Sequence, residues 1–182
     1  MIYNSIVKGR FISRPNRFIA YAEIDGKEEI CHVKNTGRCR ELLIPEADII
    51  LEISDNPNRK TKFDLISVYK NGRLINIDSQ APNKIAAELL PKLFPDYIIK
   101  PEQKYKNSRF DFYLESANKR AFAEVKGVTL ENENIVMFPD APTERGVKHI
   151  NELIQAAENG FDAYILFIIQ MNQVKYLIPN YE

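Results

Sequence analysis

Asp111 stands in Arg109-Phe110-Asp111-Phe112, and further along come Glu124 and Lys126 in Glu124-Val125-Lys126. Two residues apart on a strand, Glu124 and Lys126 share one face. If the two runs are neighbouring strands, two carboxylates and one ammonium converge on a point. Oxygen donors of this kind suit a hard divalent cation, and a lysine beside metal-activated water suits phosphodiester hydrolysis. Asp111 and Glu124 are therefore the candidate ligands for Mg²⁺ or Mn²⁺, with Glu88 a third acid able to act through water. Lys126 would orient or activate the attacking water and offset charge on a phosphorane-like transition state. The plain alternative is that opposite charges across strands simply support pairing.

Positioning these groups requires particular elements. Phe110, Phe112 and Leu114 alternate with polar residues, and Ala123 and Val125 flank Glu124 in the same way, so both runs read as half-buried strands. Strands are expected at 98–100, 109–115 and 121–128. A helix is expected from an Asn83 N-cap, with Ile85, Ala86, Leu89 and Leu90 inward, Glu88 on the flank and Pro91 as its end or kink. A second helix is expected from a Thr143 N-cap to Asn159, with Val147, Ile150, Leu153, Ile154 and Ala157 inward and Gly160 after its end. Ala163–Ile169 reads as a buried central strand, and 174–178 as another. Before residue 80 the pattern is different: short strands at 18–24, 29–33, 47–53, 63–69 and 74–77, with turns at Asp25-Gly26 and Asn71-Gly72. Short strands with little helix suggest a small barrel of OB type. The polar stretch 78–83 marks the boundary, giving domains at 1–80 and 81–182.

Two other segments could bind anions. Residues 32–40 (His-Val-Lys-Asn-Thr-Gly-Arg-Cys-Arg) form a Gly-containing loop whose amides, with Arg38 and Arg40, could hold a phosphate. Arg14 and Arg17 lie nearby in sequence. Residues 137–146 place Arg145 at a helix N-terminus, where both could face backbone phosphate. Arg109 and His149 complete the nucleic-acid candidates, although a packed helix histidine is the plainer reading of His149. Cys31, His32 and Cys39 lack a fourth ligand and standard spacing for zinc.

The totals exclude little. The chain has 182 residues, 25 basic and 25 acidic, so no overall charge announces a polyanion partner. Thirteen basic residues face 11 acidic before residue 80, and 12 face 14 after it; local clustering must do the work. Two cysteines give no disulfide framework and point to a reducing compartment, so a cytoplasmic location without membrane attachment is expected.

The residues resemble those of the sugar fermentation stimulation protein A (SfsA) family over nearly the whole chain. The resemblance rests on Arg14–Phe18, His32–Arg38, Arg109–Phe112, Glu124–Leu130 and Phe138–His149, in that order. It implies an α+β two-domain protein, with an N-terminal OB-fold-like β-barrel that binds nucleic acid. The C-terminal α/β domain would be restriction-endonuclease-like, of the PD-(D/E)xK type. In that type Asp111, Glu124 and Lys126 match the catalytic signature and Glu88 the helix acid. It further implies a Mg²⁺-dependent nuclease acting on DNA or RNA. The alternative is a non-catalytic DNA-binding regulator of sugar catabolism genes. Members of the family usually continue past the position of Ile178-Pro179 with a further α/β stretch, which makes this chain either a truncated member, with an incomplete C-terminal domain, or a divergent short one.

Overall fold

The computed structural model describes residues 1–35, 37–141 and 143–181. It divides into two compact units: residues 1–80 with 170–174, and residues 81–169 with the chain from Lys175 onward.

The first unit holds β1 (Ile6–Ser13), β2 (Ile19–Ile24), β3 (Lys27–Val33), β4 (Asp48–Ile53), β5 (Phe63–Lys70) and β6 (Arg73–Asn76). β1 pairs antiparallel with β2 and β4, β2 with β3, and β4 with β5. A parallel pairing of β3 with β5 then closes five strands into an OB-type barrel, with β6 added along β5. Closure removes the free edges that an open sheet would leave. Both hairpin turns place two successive residues at positive φ, Asp25 and Gly26 (51° and 74°) and Asn71 and Gly72 (51° and 76°). This is the two-residue geometry that Asp-Gly and Asn-Gly favour. Inside lie Phe11, Val33, Leu51, Leu65, Val68 and Ile75, all at most 2% exposed.

The sequence pattern assigns no strand to Ile6–Ser13, because Lys8, Gly9 and Arg10 interrupt the apolar alternation. Gly9 is there for space: a Cβ would lie 2.8 Å from the Glu23 carbonyl oxygen and 3.0 Å from Leu51 Cδ1. The short return at 170–174 is equally silent in sequence. Gln170 Nε2 donates to the carbonyls of Asn76 (3.1 Å) and Asp78 (3.2 Å), and Met171 bridges to Ile75.

The second unit runs α1 (Ala81–Leu93), β7 (Ile98–Tyr105), β8 (Ser108–Glu115), β9 (Arg120–Val128), β10 (Glu131–Asn132), β11 (Ile135–Phe138), α2 (Glu144–Glu158), β12 (Asp162–Ile169) and β13 (Tyr176–Pro179). Its main sheet has the order β12-β9-β8-β7, with β12 parallel to β9 and the others antiparallel. β10, β11 and β13 form a separate small sheet. Ala86 and Leu90 of α1 pack on Phe112, Leu114, Ala123 and Val125. Leu153 and Ala156 of α2 pack with Phe110 and Phe122 in a different cluster.

Several expectations change here. Asn83 is not the N-cap but sits inside α1, which begins at Ala81 and passes Pro91 to end at Leu93. Ile85 faces outward at 36% exposure. The run 163–169 is not a central strand: β12 lies at the sheet's edge, and Ile165, Phe167 and Ile169 are each more than a third exposed. The strand expected at 174–178 starts at Tyr176 and joins the small sheet through β11. On α2 the Thr143 cap is as expected, its side chain accepting from the Gly146 amide at 3.0 Å, and Gly160 has φ 83°. The buried face differs, however. It comprises His149, Glu152, Leu153 and Ala156, while Val147, Ile150 and Ile154 are exposed. The helix is turned so that His149 reaches the sheet, and the carboxylate it meets there gives the reason.

Candidate functional site

The pairing of β8 with β9 runs as far as Phe112 opposite Ala123, so Asp111 and Glu124 are the first residues beyond its end. At that point the backbone ladder stops and a side chain takes over. The Val125 amide donates to Asp111 Oδ2 at 2.7 Å. Phe110 and Tyr113, three apart, both pack on Phe122, whereas Phe112 enters the other cluster, so the alternation of faces is interrupted between them. The switch of faces falls at Asp111, between Gln103↔Phe110 and Pro101↔Phe112, with Glu102 at φ 51° on the neighbouring strand. Asp111 therefore stands at an irregularity that turns its carboxylate toward Val125 and α1.

From α1, Asn83 Nδ2 donates to Asp111 Oδ1 at 2.7 Å. Burial pushes the Asp111 carboxyl above its ordinary pKa; the Val125 amide opposes this and the Glu124 charge adds to it. Glu124 is 5% exposed. Its Oε1 meets Lys126 Nζ at 2.7 Å and His149 Nδ1 at 2.7 Å. An ionised carboxylate only accepts, so with Glu124 ionised the His149 proton sits on Nδ1. Glu124 Oε2 is buried and has no hydrogen-bond partner among the described residues. Leaving such an oxygen unpaired is costly, about 1–3 kcal/mol for a neutral group and more for a charged one.

That orphaned oxygen and the Asp111 carboxylate are the donor types a hard cation takes. Among the described residues no group of three or more His, Cys, Asp or Glu side chains is arranged to hold a metal. Two carboxylates nevertheless suffice for Mg²⁺, which keeps several waters and commonly uses one or two protein oxygens. The residues therefore fit such an ion, held by Asp111 and Glu124.

The other expected residues divide. The α1 side chain bonded to Asp111 is Asn83. Glu88 is exposed and lies five residues further, roughly 7.5 Å along the helix axis. Arg109 is exposed and pairs with Glu102 at 3.0 Å. Arg109, Arg145 and His149 line one depression of about 520 Å³. His149 is packed, as the plainer reading has it: it is 9% exposed and its Nδ1 is committed to Glu124.

In the first unit, Arg14, Arg17, Arg38 and Arg40 line one open depression of about 500 Å³. Arg14 is not available as a phosphate ligand. Its Nε donates to the carbonyl of Asn16, Nη1 to those of Gly37 and Arg38, and Nη2 to those of Arg17 and Asn35, at 2.6–3.2 Å. A guanidinium has five N–H donors, and all are used. Arg14 staples the β1–β2 loop to the 35–38 loop, while Arg17, Arg38 and Arg40 remain exposed around it. Phe18, 55% exposed, stands in the same β1–β2 loop.

Lys34 turns inward, to Glu52 at 3.0 Å and Asp64 at 3.1 Å. Burial would push the Asp64 carboxyl up, but hydrogen bonds from Arg59 and Lys34 win and hold it at about 2. Cys31 is buried, its thiol pushed up to about 12 by burial, so it is no zinc ligand in waiting. Thr36 and Pro142, in the two anion-binding motif segments, lie outside the described residues.

Asn83 is what sequence reasoning missed, being read as a cap; nothing in the sequence marks a contact 28 residues away.

An OB-type barrel followed by an α/β unit with a carboxylate–lysine site defines the class of this protein. Comparison places it within that class. The model described as "SfsA N-terminal OB domain" matches residues 12–77, and that described as "Sugar fermentation stimulation protein RE domain" matches residues 80–182. The chain belongs to the sugar fermentation stimulation protein (SfsA) family. It is 63% identical to the sugar fermentation stimulation protein homolog of Clostridium beijerinckii over 185 residues, covering 100% of this chain and 82% of that one. The homolog of Desulfitobacterium hafniense strain Y51 is 60% identical, over 99% of this chain and 80% of that one. A structure of Pyrococcus furiosus SfsA in complex with Ca²⁺ superposes with TM-score 0.86 at 31% identity, covering 98% of this chain and 79% of that one. No helix among the described residues is long and apolar enough to cross a membrane.

Proposed function

We propose that this protein is a divalent-metal-dependent nuclease, hydrolysing phosphodiester bonds in DNA or RNA, with Asp111, Glu124 and Lys126 at its centre. The observation that carries the reading is Glu124: one oxygen is fixed by Lys126 and His149 while the other is buried and unpaired. A cation held by Asp111 and Glu124, Mg²⁺ or Mn²⁺, would supply Lewis-acid neutralisation of the phosphoryl oxygens. The complex of the Pyrococcus relative with Ca²⁺ supports a divalent site of this kind. Lys126 holds a compact positive charge at the carboxylate, where it orients an attacking water and stabilises the more negative transition state. His149 holds the same Glu124 oxygen as Lys126 and so helps to fix the carboxylate's orientation. Asn83 and the Val125 amide fix Asp111. Glu88 stays a candidate further acid on α1.

The test is divalent-dependent cleavage of single- and double-stranded DNA and RNA. Asp111→Asn and Lys126→Ala are each expected to lower the rate at least 100-fold, about 2.7 kcal/mol or more of transition-state stabilisation. Asp111→Asn keeps one oxygen for the Val125 amide, and its amide nitrogen can donate once the exposed Asn83 amide turns over, so the variant is expected to fold. Parental cleavage rates in both variants would sink the reading.

The arginine-lined depression of the barrel favours a second reading, a DNA-binding regulator of sugar catabolism genes without turnover. Arg17, Arg38 and Arg40 would neutralise backbone phosphates, and affinity would fall steeply with salt, with or without metal. Salt-insensitive binding would count against it.

A further inference from the structure

The two edges of the main sheet in the second unit are built differently. β7, at one edge, carries Lys100, Pro101, Glu102 and Lys104, and Glu102 stands at φ 51°. Charge, proline and irregular backbone are what keep an exposed edge from pairing. β12, at the other edge, has none of these from Ala163 to Ile169, where it reads Ala-Tyr-Ile-Leu-Phe-Ile-Ile. It runs parallel to β9, and among the described residues it pairs with no other strand. Parallel strands are ordinarily covered on both faces.

Only one face of β12 is covered. Tyr164, Leu166 and Ile168 pack on the α1 side with Ala123 and Val125. Ile165, Phe167 and Ile169 point to the α2 side and are each more than a third exposed. The register identifies that side, because Ile165 lies opposite Glu124, whose carboxylate meets His149 of α2. α2 leaves the same space open. On one flank Lys148 donates to the Asn107 carbonyl, and Gln155 accepts from Lys106, which ties that flank to the β7–β8 hairpin. Ile150 and Ile154 occupy the opposite flank, toward β12, and both are exposed. An apolar trough therefore runs between α2 and β12, with the open edge of β12 as its outer lip.

Two observations name the occupant. The match to the Clostridium beijerinckii homolog spans 185 residues and 82% of that protein, which leaves about 40 of its residues unmatched. That is enough for one crossover helix and one strand, since a whole βαβ unit takes roughly 30 residues or more. The C-terminal end of β13 also lies beside the trough. Pro179 is in register with Phe138, whose ring centre stands 5.2 Å from that of Phe167 on β12.

We propose that the open edge of β12 and the trough beside it are the seat of one further strand and helix, and that the occupant is the stretch by which the relatives exceed this chain. The strand pairs parallel to β12, and the helix lies on Ile150, Ile154, Ile165 and Phe167. The seat adjoins the carboxylate site, Phe167 being opposite Lys126, yet its occupation does not depend on whether the protein cuts nucleic acid.

The homolog's unmatched residues are joined after Glu182 of the full chain, and amide hydrogen exchange is compared with that of the chain alone. The alternate β12 amides that point away from β9 are expected to exchange at least tenfold more slowly in the joined form, with β7 unchanged. Ile154→Lys lies on an exposed flank, so the fold should survive, and it should return those β12 rates to within twofold of the chain alone. Unchanged exchange at β12 in the joined form overturns the proposal, as does protection that persists with Ile154→Lys. Protection of the same amides in the chain alone, growing with protein concentration, also overturns it, since a second copy would then hold the edge.

Discussion

Two side chains in this protein do their work through the backbone. Asp111 replaces a ladder bond by accepting from the Val125 amide, and Arg14 donates every N–H it has to five carbonyls. Lysine would keep the charge of Arg14 but offers a single nitrogen that cannot reach five acceptors. Arg14→Lys is therefore expected to destabilise the first unit by about 1–3 kcal/mol, read as a lower urea midpoint with unchanged slope. An unchanged midpoint would show that the loops hold without the staple. At this scale the sequence was informative where chemistry and alternation coincide, as at Asp111, Glu124 and Lys126. It was not for Asn83 or His149, whose partners lie 28 and 25 residues away. Residue types show what a group can do, and only packing shows to whom.

Among the elements, α2 is the instructive case. Its apolar residues form a stripe that the sequence points inward, yet Ile154 is 51% exposed and Leu153 only 5%. The helix follows the polar contact of His149 with Glu124 instead of burying the most hydrocarbon. Leu153→Ala is expected to cost about 2–4 kcal/mol, while Ile154→Ala stays within roughly 1 kcal/mol. Thermal unfolding of both variants checks this, and equal losses would mean that the stripe is buried after all. The hairpins, by contrast, could be read directly, because Asp25-Gly26 and Asn71-Gly72 carry their positive φ values as local chemistry. β1 could not, since its alternation is broken by Gly9, placed for close approach to β2 and β4. The edge position of β12 was hidden for another reason: a run apolar on both faces looks like an interior strand whether or not anything covers it.

At the scale of the whole molecule, pH should act on the barrel through Asp64. Its carboxyl, 4% exposed, meets Lys34 at 3.1 Å and also Arg59, and its folded pKa of about 2 lies below the ordinary 3.8. A depressed carboxyl stabilises the fold above its unfolded pKa, and that contribution is lost as pH falls through the folded one. Asp64 should thus contribute on the order of 2 kcal/mol at neutral pH, disappearing between about pH 4 and pH 2. Asp64→Asn should flatten the stability profile across that window, and an equally steep profile in the variant would refute the assignment. The bipartite plan itself was evident from composition, a β-rich stretch giving way to helix and longer strands near residue 80. The return of residues 170–174 was not, because five ordinary residues between two strands carry no sign of which unit they serve.

That return sets the order of events during synthesis. The carbonyls of Asn76 and Asp78 wait for Gln170, made more than ninety residues later. On a ribosome the six strands of the first unit emerge early, but this last seam is sewn only after some ninety further residues have followed. A stalled or clipped nascent chain would therefore carry a barrel with its strands in place and its seam still open.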